Sequence, residues 1–420
     1  MLHIARRSML GFAAGLLLST AGGALAAEPI KIGLGMAQTG PLAAFGKGAL
    51  VSMKIWEEEV NAKGGLLGRP VKLIYYDDQS DPATVPGIYT KLLDVDKVDI
   101  AVSGYATNQI APAMPVMIQK NRTFLSLFGM EVNEKFKYPR YFSMVPLGPE
   151  GAAAFALPFF AVAKTLNPKP TTIALVGADA EYPHKALAGS RKAAQAAGLK
   201  IVYDKTYPPP PKVTDYAPIL RAIQATNPDL ILVASYPADS VGMVRAANEI
   251  GLKAQMFGGG MVGLQATAVK TQLGPLLNGI VNYDFYVPSP NMSFPGVAEH
   301  LKKYQARAQS EGVDLLGYYL PPYAYSQMQV IEQAIVSAKS IDQDKIAEAM
   351  RNNTFKTVVG DIKFAANGEW DRSGVILVQY GNIKGNDIAQ FRGMDTMKIL
   401  TPDKYKTGTV IAPYEVARGK

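Results

Sequence analysis

The chain has 420 residues, with 43 Lys and Arg against 35 Asp and Glu, a formal charge of +8, three histidines and no cysteine. Without cysteine there can be no disulfide, thiolate metal site, thiol nucleophile or lipid anchor on a cleavage-site cysteine. The modest positive excess is scattered, which argues against nucleic acid, a partner that needs basic residues clustered with aromatics. A chain of this length buries ample core without disulfides and implies about two domains.

The amino terminus reads as a secretory signal. Arg6 and Arg7 form a positive region, Met9 to Leu18 an apolar one, and Ala24-Leu25-Ala26 a small-residue cleavage site. Gly15, Ser19, Thr20, Gly22 and Gly23 interrupt the apolar stretch, which falls short of the ~20 residues that a spanning helix needs. Segment 1–26 is therefore expected to be removed, leaving a periplasmic protein with no lipid anchor. The Arg6-Arg7 pair is compatible with either general secretion or twin-arginine export.

Residues 31–36 then read as a buried strand and 39–46 as the loop that leaves its carboxyl end. A helix follows with Ala49, Met53, Trp56 and Val60 on one face, stopped by Asn61-Ala62-Lys63-Gly64-Gly65. Glu57, Glu58 and Glu59 fall on its other side as a solvated run. Val71–Tyr76 is a second strand. Further strand-like runs at 99–103, 123–127, 172–176, 200–204, 230–235 and 255–258 alternate with helical segments, the pattern of an α/β fold with parallel sheets and helices on both faces.

Residues just past these strand ends share a character. Tyr105, Phe128, Tyr182 and Tyr236 follow four of them, and Phe45 lies in the first loop. Loops at the carboxyl ends of parallel strands face the ligand crevice, and aromatic walls there suit an apolar or planar ligand. Each ring could equally pack the interface between lobes or the loops' own cores. Thr107 and Asn108 precede a helix expected from about Gln109 to Asn121, so Thr107 is placed as an N-cap, either for capping alone or with nearby N–H groups that can hold an anion. Catalytic signatures are thin. His184 stands at a helix start where capping is its ordinary role, Gln38 occupies the third glycine position of a dinucleotide loop opened by Gly33 and Gly35, and no phosphate loop, nucleophile elbow or histidine-rich metal spacing occurs. No cofactor and no metal are expected.

The run "GPLAAFGKGALVSMKIWEEEVNAKGGLLGRPVKLIYYDDQSDP" resembles the amino-terminal signature of the periplasmic solute-binding proteins of the leucine/isoleucine/valine-binding type, the receptors of ABC importers. Weaker agreement continues through "VSGYATNQIAPAMPVM", "VGADAEYP", "VASYPADS" and "GDIKFAANGEWD". The resemblance implies two doubly wound parallel-sheet lobes, a type I periplasmic binding fold, joined by three crossovers near Ser143 to Pro146, Val281 to Asp284 and Asp361 to Gly368. Lobe 1 would take 27–144 and 284–362, and lobe 2 would take 145–283 and 363–420. It also implies a site in which Thr107 and the loop from Ser126 to Met130, with Phe128 and Gly129, receive a ligand carboxylate. Phe45 would flank the ligand and Tyr182 would close over it.

One departure from the family pattern bears on the ligand. Amino-acid binders pair the ligand's ammonium with an acid in a second-lobe loop, and that loop here is expected at 257–263, with Gly260 at the aligned position and Met261 beside it. A buried ammonium without a counter-ion is strongly disfavoured. Glu131, Asp179, Glu181 and Asp239 are the acids that could substitute from nearby loops, though a surface or capping role is the ordinary one for each, and the glycines would leave room for a broader ligand. The expectation is a monomeric, non-enzymatic receptor that closes on a small carboxylate, an aromatic or aliphatic acid, and presents it to a membrane permease. Alternatives are a branched-chain or other hydrophobic amino acid as ligand, a ligand sensor for a signalling partner, and an exported enzyme. The periplasmic form should begin at or near Ala27, which mass spectrometry of the periplasmic fraction would verify; an intact amino terminus held in membranes would refute it.

Overall fold

The computed structural model describes residues 27–419; the expected signal segment lies outside the described residues. Strands β1 (Ile30–Gly35), β2 (Val71–Tyr76), β3 (Ile100–Val102), β4 (Phe124–Ser126) and β5 (Tyr141–Ser143) form a parallel sheet in the order β2-β1-β3-β4-β5. A second sheet takes β6 (Thr172–Ala178), β7 (Lys200–Tyr207), β8 (Leu230–Ser235), β9 (Met256–Met261) and β10 (Val281–Asp284). A separate hairpin of β11 (Thr354–Thr357) and β12 (Gly360–Lys363) follows, and then β13 (Ile376–Tyr380) and β14 (Met397–Thr401) complete the second sheet antiparallel, in the order β14-β13-β10-β9-β8-β6-β7. Helices cover both faces, which is why β8 is fully buried without alternation, as is β1 apart from the half-buried Lys31. In both sheets the strand order reverses once, between β1 and β3 and between β6 and β8, which opens a crevice at the carboxyl ends.

The first helix, α1 (Ala43–Ala62), buries Ala49, Met53, Trp56 and Val60 as its periodicity requires. It ends where the Gly65 amide bonds back to the Val60 carbonyl. Gly65 has φ +76, and a Cβ there would lie 1.9 Å from the Arg69 carbonyl oxygen, so only glycine fits. The glutamate run is not merely solvated. Glu57 accepts from the Leu73 amide at 2.7 Å, Glu58 pairs with Arg307, and Glu59 pairs with Lys303 at 2.9 Å, so all three fasten α1 to its neighbours.

Two local expectations are corrected. The segment after Tyr105 is not one helix from Gln109: Thr107–Ile110 is helical, Ala111–Ala113 is a 3-10 turn, and Met114–Gln119 resumes the helix, because Pro112 and Pro115 cannot donate amide hydrogen bonds. Residues 257–261 form no loop. They belong to β9, where a Cβ on Gly258 would lie 1.9 Å from the Val281 carbonyl oxygen and one on Gly259 would crowd Phe159 and Leu232. The glycines let β10 and a covering helix approach the strand; they do not widen the crevice.

The chain passes between the two sheets after β5, after β10 and between β12 and β13. Two of these passages are bonded together, Ser143 donating to the Gly368 carbonyl at 2.9 Å and Gly374 to that of Pro146 at 2.8 Å. Glu369 lies in this zone, 5% exposed, and one of its carboxyl oxygens has no partner among the described residues. Burial pushes its pKa up to about 8. A raised carboxyl pKa leaves stability intact below the ordinary glutamate range and removes it as pH rises to about 8. Glu369→Gln should therefore gain stability relative to the parent between pH 5 and pH 9, on the order of 2–4 kcal/mol. Urea unfolding at both pH values reads this, and parallel pH profiles for the two proteins would contradict it.

Candidate functional site

The carboxyl ends of the two sheets meet around a partly open cavity with about 380 Å³ of empty space, open solvent included. Its wall takes Tyr105, Ala106 and Thr107 from beyond β3, Phe128 and Met130 from beyond β4, and Val145 from the first crossover. The helix Ala152–Ala163 adds Phe155, and the residues past the ends of β6, β8 and β9 add Tyr182, Tyr236 and Val262, with Tyr283 and Phe285 from the end of β10, while Tyr319 precedes the helix Pro321–Ala338. Every lining residue is uncharged. The rings form a continuous lattice: Tyr105 stands 5.4 Å from Phe45 and 6.5 Å from Phe128, Phe128 5.0 Å from Phe285, and Tyr283 4.7 Å from Phe155. Tyr182 and Tyr236 meet at 5.7 Å. Such pairs fix ring orientation beyond the area they bury.

Of the expected site residues, Tyr105, Thr107, Phe128, Tyr182 and Tyr236 come together on this wall. Thr107 is not the cap. Ala106 is, accepting from the Gln109 and Ile110 amides while held at φ +86, a conformation that costs a non-glycine residue about 1–3 kcal/mol. The Thr107 hydroxyl instead accepts from the Met130 amide at 3.0 Å, which leaves its own proton free to donate. Asn108 stands behind the wall and accepts from the Tyr236 hydroxyl at 3.2 Å, a bond between the two sheets' loops. Phe45 backs Tyr105 and Tyr319 rather than lining the cavity.

The remaining expected residues lie deeper. Ser126 is fully buried and its hydroxyl pairs with that of Tyr141 at 2.7 Å. Gly129 packs toward Val132 and Ile110. Gly260 sits within β9, where its carbonyl accepts from the Tyr182 hydroxyl at 2.9 Å. Met261 is held at both backbone atoms by the Asn282 side chain. The next residue, Val262, is the one that reaches the cavity. Phe155, Tyr283, Phe285 and Tyr319 were missed in the sequence. Tyr283 and Phe285 follow the same strand-end rule as the others and could have been found by it; Tyr319 sits in an irregular segment with no periodic signal.

None of the acids considered as ammonium partners lines the cavity. Glu131 accepts from the Ala152 amide at 2.7 Å, Asp179 pairs with His184 at 2.8 Å on the surface, and Glu181 is exposed in the first turn of Glu181–Ala196. Asp239 is buried against the Tyr207 hydroxyl at 2.6 Å, and burial pushes its pKa up to about 6. Among the described residues no group of acids, histidines or cysteines is arranged to hold a metal.

Two sheets whose carboxyl ends enclose an uncharged aromatic cavity define a two-lobed receptor for a small organic molecule. The periplasmic binding protein family matches residues 29–381, and the chain belongs to it. By its family it is a solute-binding receptor and not an enzyme. It is 25% identical to the leucine-, isoleucine-, valine-, threonine- and alanine-binding protein of Pseudomonas aeruginosa, over 85% of this chain and 91% of the relative. Its fold is similar to that of the branched-chain amino acid binding protein LivJ of Streptococcus pneumoniae solved with isoleucine, at a TM-score of 0.72 and 18% identity over 89% of this chain and 100% of that one. It is likewise similar to an R. palustris solute-binding protein solved with 4-hydroxybenzoate, at a TM-score of 0.71 and 20% identity over 85% and 94% of the two chains.

A side chain cannot be added at Gly260 toward the ligand. Its Cβ would lie 2.9 Å from the Val233 carbonyl oxygen and 3.3 Å from the Tyr182 hydroxyl. Gly260→Glu should cost about 3 kcal/mol or more by burying a charge inside the sheet, without improving leucine binding. Urea denaturation and calorimetry test this, and a stable variant with new affinity for leucine would show that the carboxylate reaches the cavity.

Proposed function

We propose that the protein is a periplasmic receptor that closes on a small carboxylate lacking an α-ammonium, with an aromatic acid as the best fit, and delivers it to an ABC-type permease. The observation that carries this reading is the aromatic wall without a charged side chain. A carboxylate can be met by the free proton of Thr107 and by the Thr107 and Asn108 amides, which begin a helix and have no acceptor within it. An ammonium would face only rings and hydroxyls, with no buried acid to offset its desolvation. The lobes would be 27–144 with 284–362 and 145–283 with 363–420, turning at the three passages between the sheets. Closure follows from a ligand that touches both lobes only in the shut form.

A second reading, a branched-chain amino acid as ligand, is favoured by the name of the Pseudomonas aeruginosa relative. Calorimetry with benzoate and leucine separates the two. Benzoate should bind and leucine should not. Thr107→Val, which removes the hydroxyl at nearly constant volume, should weaken benzoate by about 1.5–3 kcal/mol while lowering stability less. Leucine binding at micromolar levels or tighter, about −8 kcal/mol, would overturn the carboxylate reading, and unchanged benzoate affinity in the variant would remove Thr107 from the site.

A further inference from the structure

The cavity holds more hydroxyls than a carboxylate anchor uses. Besides Thr107, five tyrosines line it, and their hydroxyls are not equivalent. Tyr182 donates to the Gly260 carbonyl and Tyr236 to Asn108, so both protons are committed to the protein. Tyr283 and Tyr319 pair with each other at 3.0 Å, one from each side of the cavity. That bond consumes a single proton and leaves the other, with unused lone pairs, available. Tyr105 is only 4% exposed, and its hydroxyl lies beside that of Tyr319, so the three phenols form one cluster.

The surroundings of this trio decide which ligand group it suits. Tyr319 packs edge-on to Phe45 at 5.4 Å and Phe128 at 5.7 Å and lies parallel to Phe285 at 6.1 Å. The helix-start amides on this wall, those of Thr107 and Asn108, are taken by the carboxylate in the proposed reading, and no cation lines the cavity, so a second charged group would pay its desolvation with phenols alone. Burial raises all three phenols above the usual tyrosine range, and each keeps its proton. A neutral hydroxyl, which donates and accepts at once, matches what the trio offers.

We infer that Tyr105, Tyr283 and Tyr319 form a polar subsite that selects a ring-hydroxylated acid over its unsubstituted parent. This rests on the carboxylate reading of the same cavity and adds to it the identity of a second ligand group. Calorimetry with benzoate, 3-hydroxybenzoate and 4-hydroxybenzoate tests it on the wild type, Tyr105→Phe and Tyr319→Phe. At least one hydroxybenzoate should bind the wild type about tenfold tighter than benzoate, as one added buried hydrogen bond allows. Both variants should shrink that ratio toward one by weakening the hydroxybenzoate more than benzoate. Equal wild-type affinities for benzoate and both hydroxybenzoates would overturn the subsite and spare the carboxylate reading. So would a ratio unchanged in both variants, or variants that weaken all three acids alike, which would make the trio a carboxylate holder. Failure of all three acids to bind the wild type would overturn both readings.

Discussion

The binding site depends on how a ligand's charge is met in a cavity without a charged side chain. Removing an ion from water costs several kcal/mol even after the protein relaxes, and the wall offers only dipoles in return: hydroxyl protons, the amides around Thr107, and ring quadrupoles. That inventory is asymmetric. Hydroxyls and amides donate to an anion, whereas a cation would have only ring faces, hydroxyl lone pairs and carbonyls already taken, as Gly260's is by Tyr182, with no acid among them. The acids of the neighbouring loops are spent elsewhere: Glu131 accepts from the Ala152 amide, and Asp239 from the Tyr207 hydroxyl.

The same cavity exists only because two sheets are brought mouth to mouth. The described conformation carries direct contacts across that mouth: Tyr236 with Asn108, Thr267 with both oxygens of Asp314 at 2.5 and 2.7 Å, and Lys185 with Glu134 at 3.0 Å. The ion pair is partly exposed and of the kind that contributes little, about 0–1 kcal/mol. A ligand that joins Thr107 on one side to the second-sheet rings on the other adds a term present only in the shut form, which is how binding is coupled to shape.

Polar groups also lie buried away from the cavity, and they show how the fold tolerates them. Burial lowers the pKa of Lys270, partly offset by Asp284 and Asp314, while the same burial pushes Asp284 up to about 6. His300, packed between helices with its Nε2 3.2 Å from the Ser52 hydroxyl, is lowered to about 4. It stays neutral through the physiological range, so it acts as a packing group with one hydrogen bond. Its cost appears only when acid charges the unfolded chain first, between about pH 6.5 and 4.

Local chemistry was enough to read the strand–helix alternation, the buried face of α1, the glycine stop at Gly65 and the aromatic strand ends at Tyr105, Phe128, Tyr182 and Tyr236, because each depends on periodicity or on conformations only one residue type adopts. Other features came only from tertiary structure. Whether Gly258 to Gly260 line a crevice or let β10 approach β9 is decided by a carbonyl more than twenty residues away, at Val281. The Thr107 hydroxyl keeps its proton free at the cavity wall because the Met130 amide, from the neighbouring strand's loop, donates to its oxygen. Tyr319 joins the wall from a segment with no pattern of its own. Sequence thus determined which elements form and which strand ends carry rings, since those follow from nearest-neighbour sterics and burial; which hydroxyls remain unpaired in the cavity was decided by partners distant in the chain, which only the folded arrangement brings within hydrogen-bonding reach.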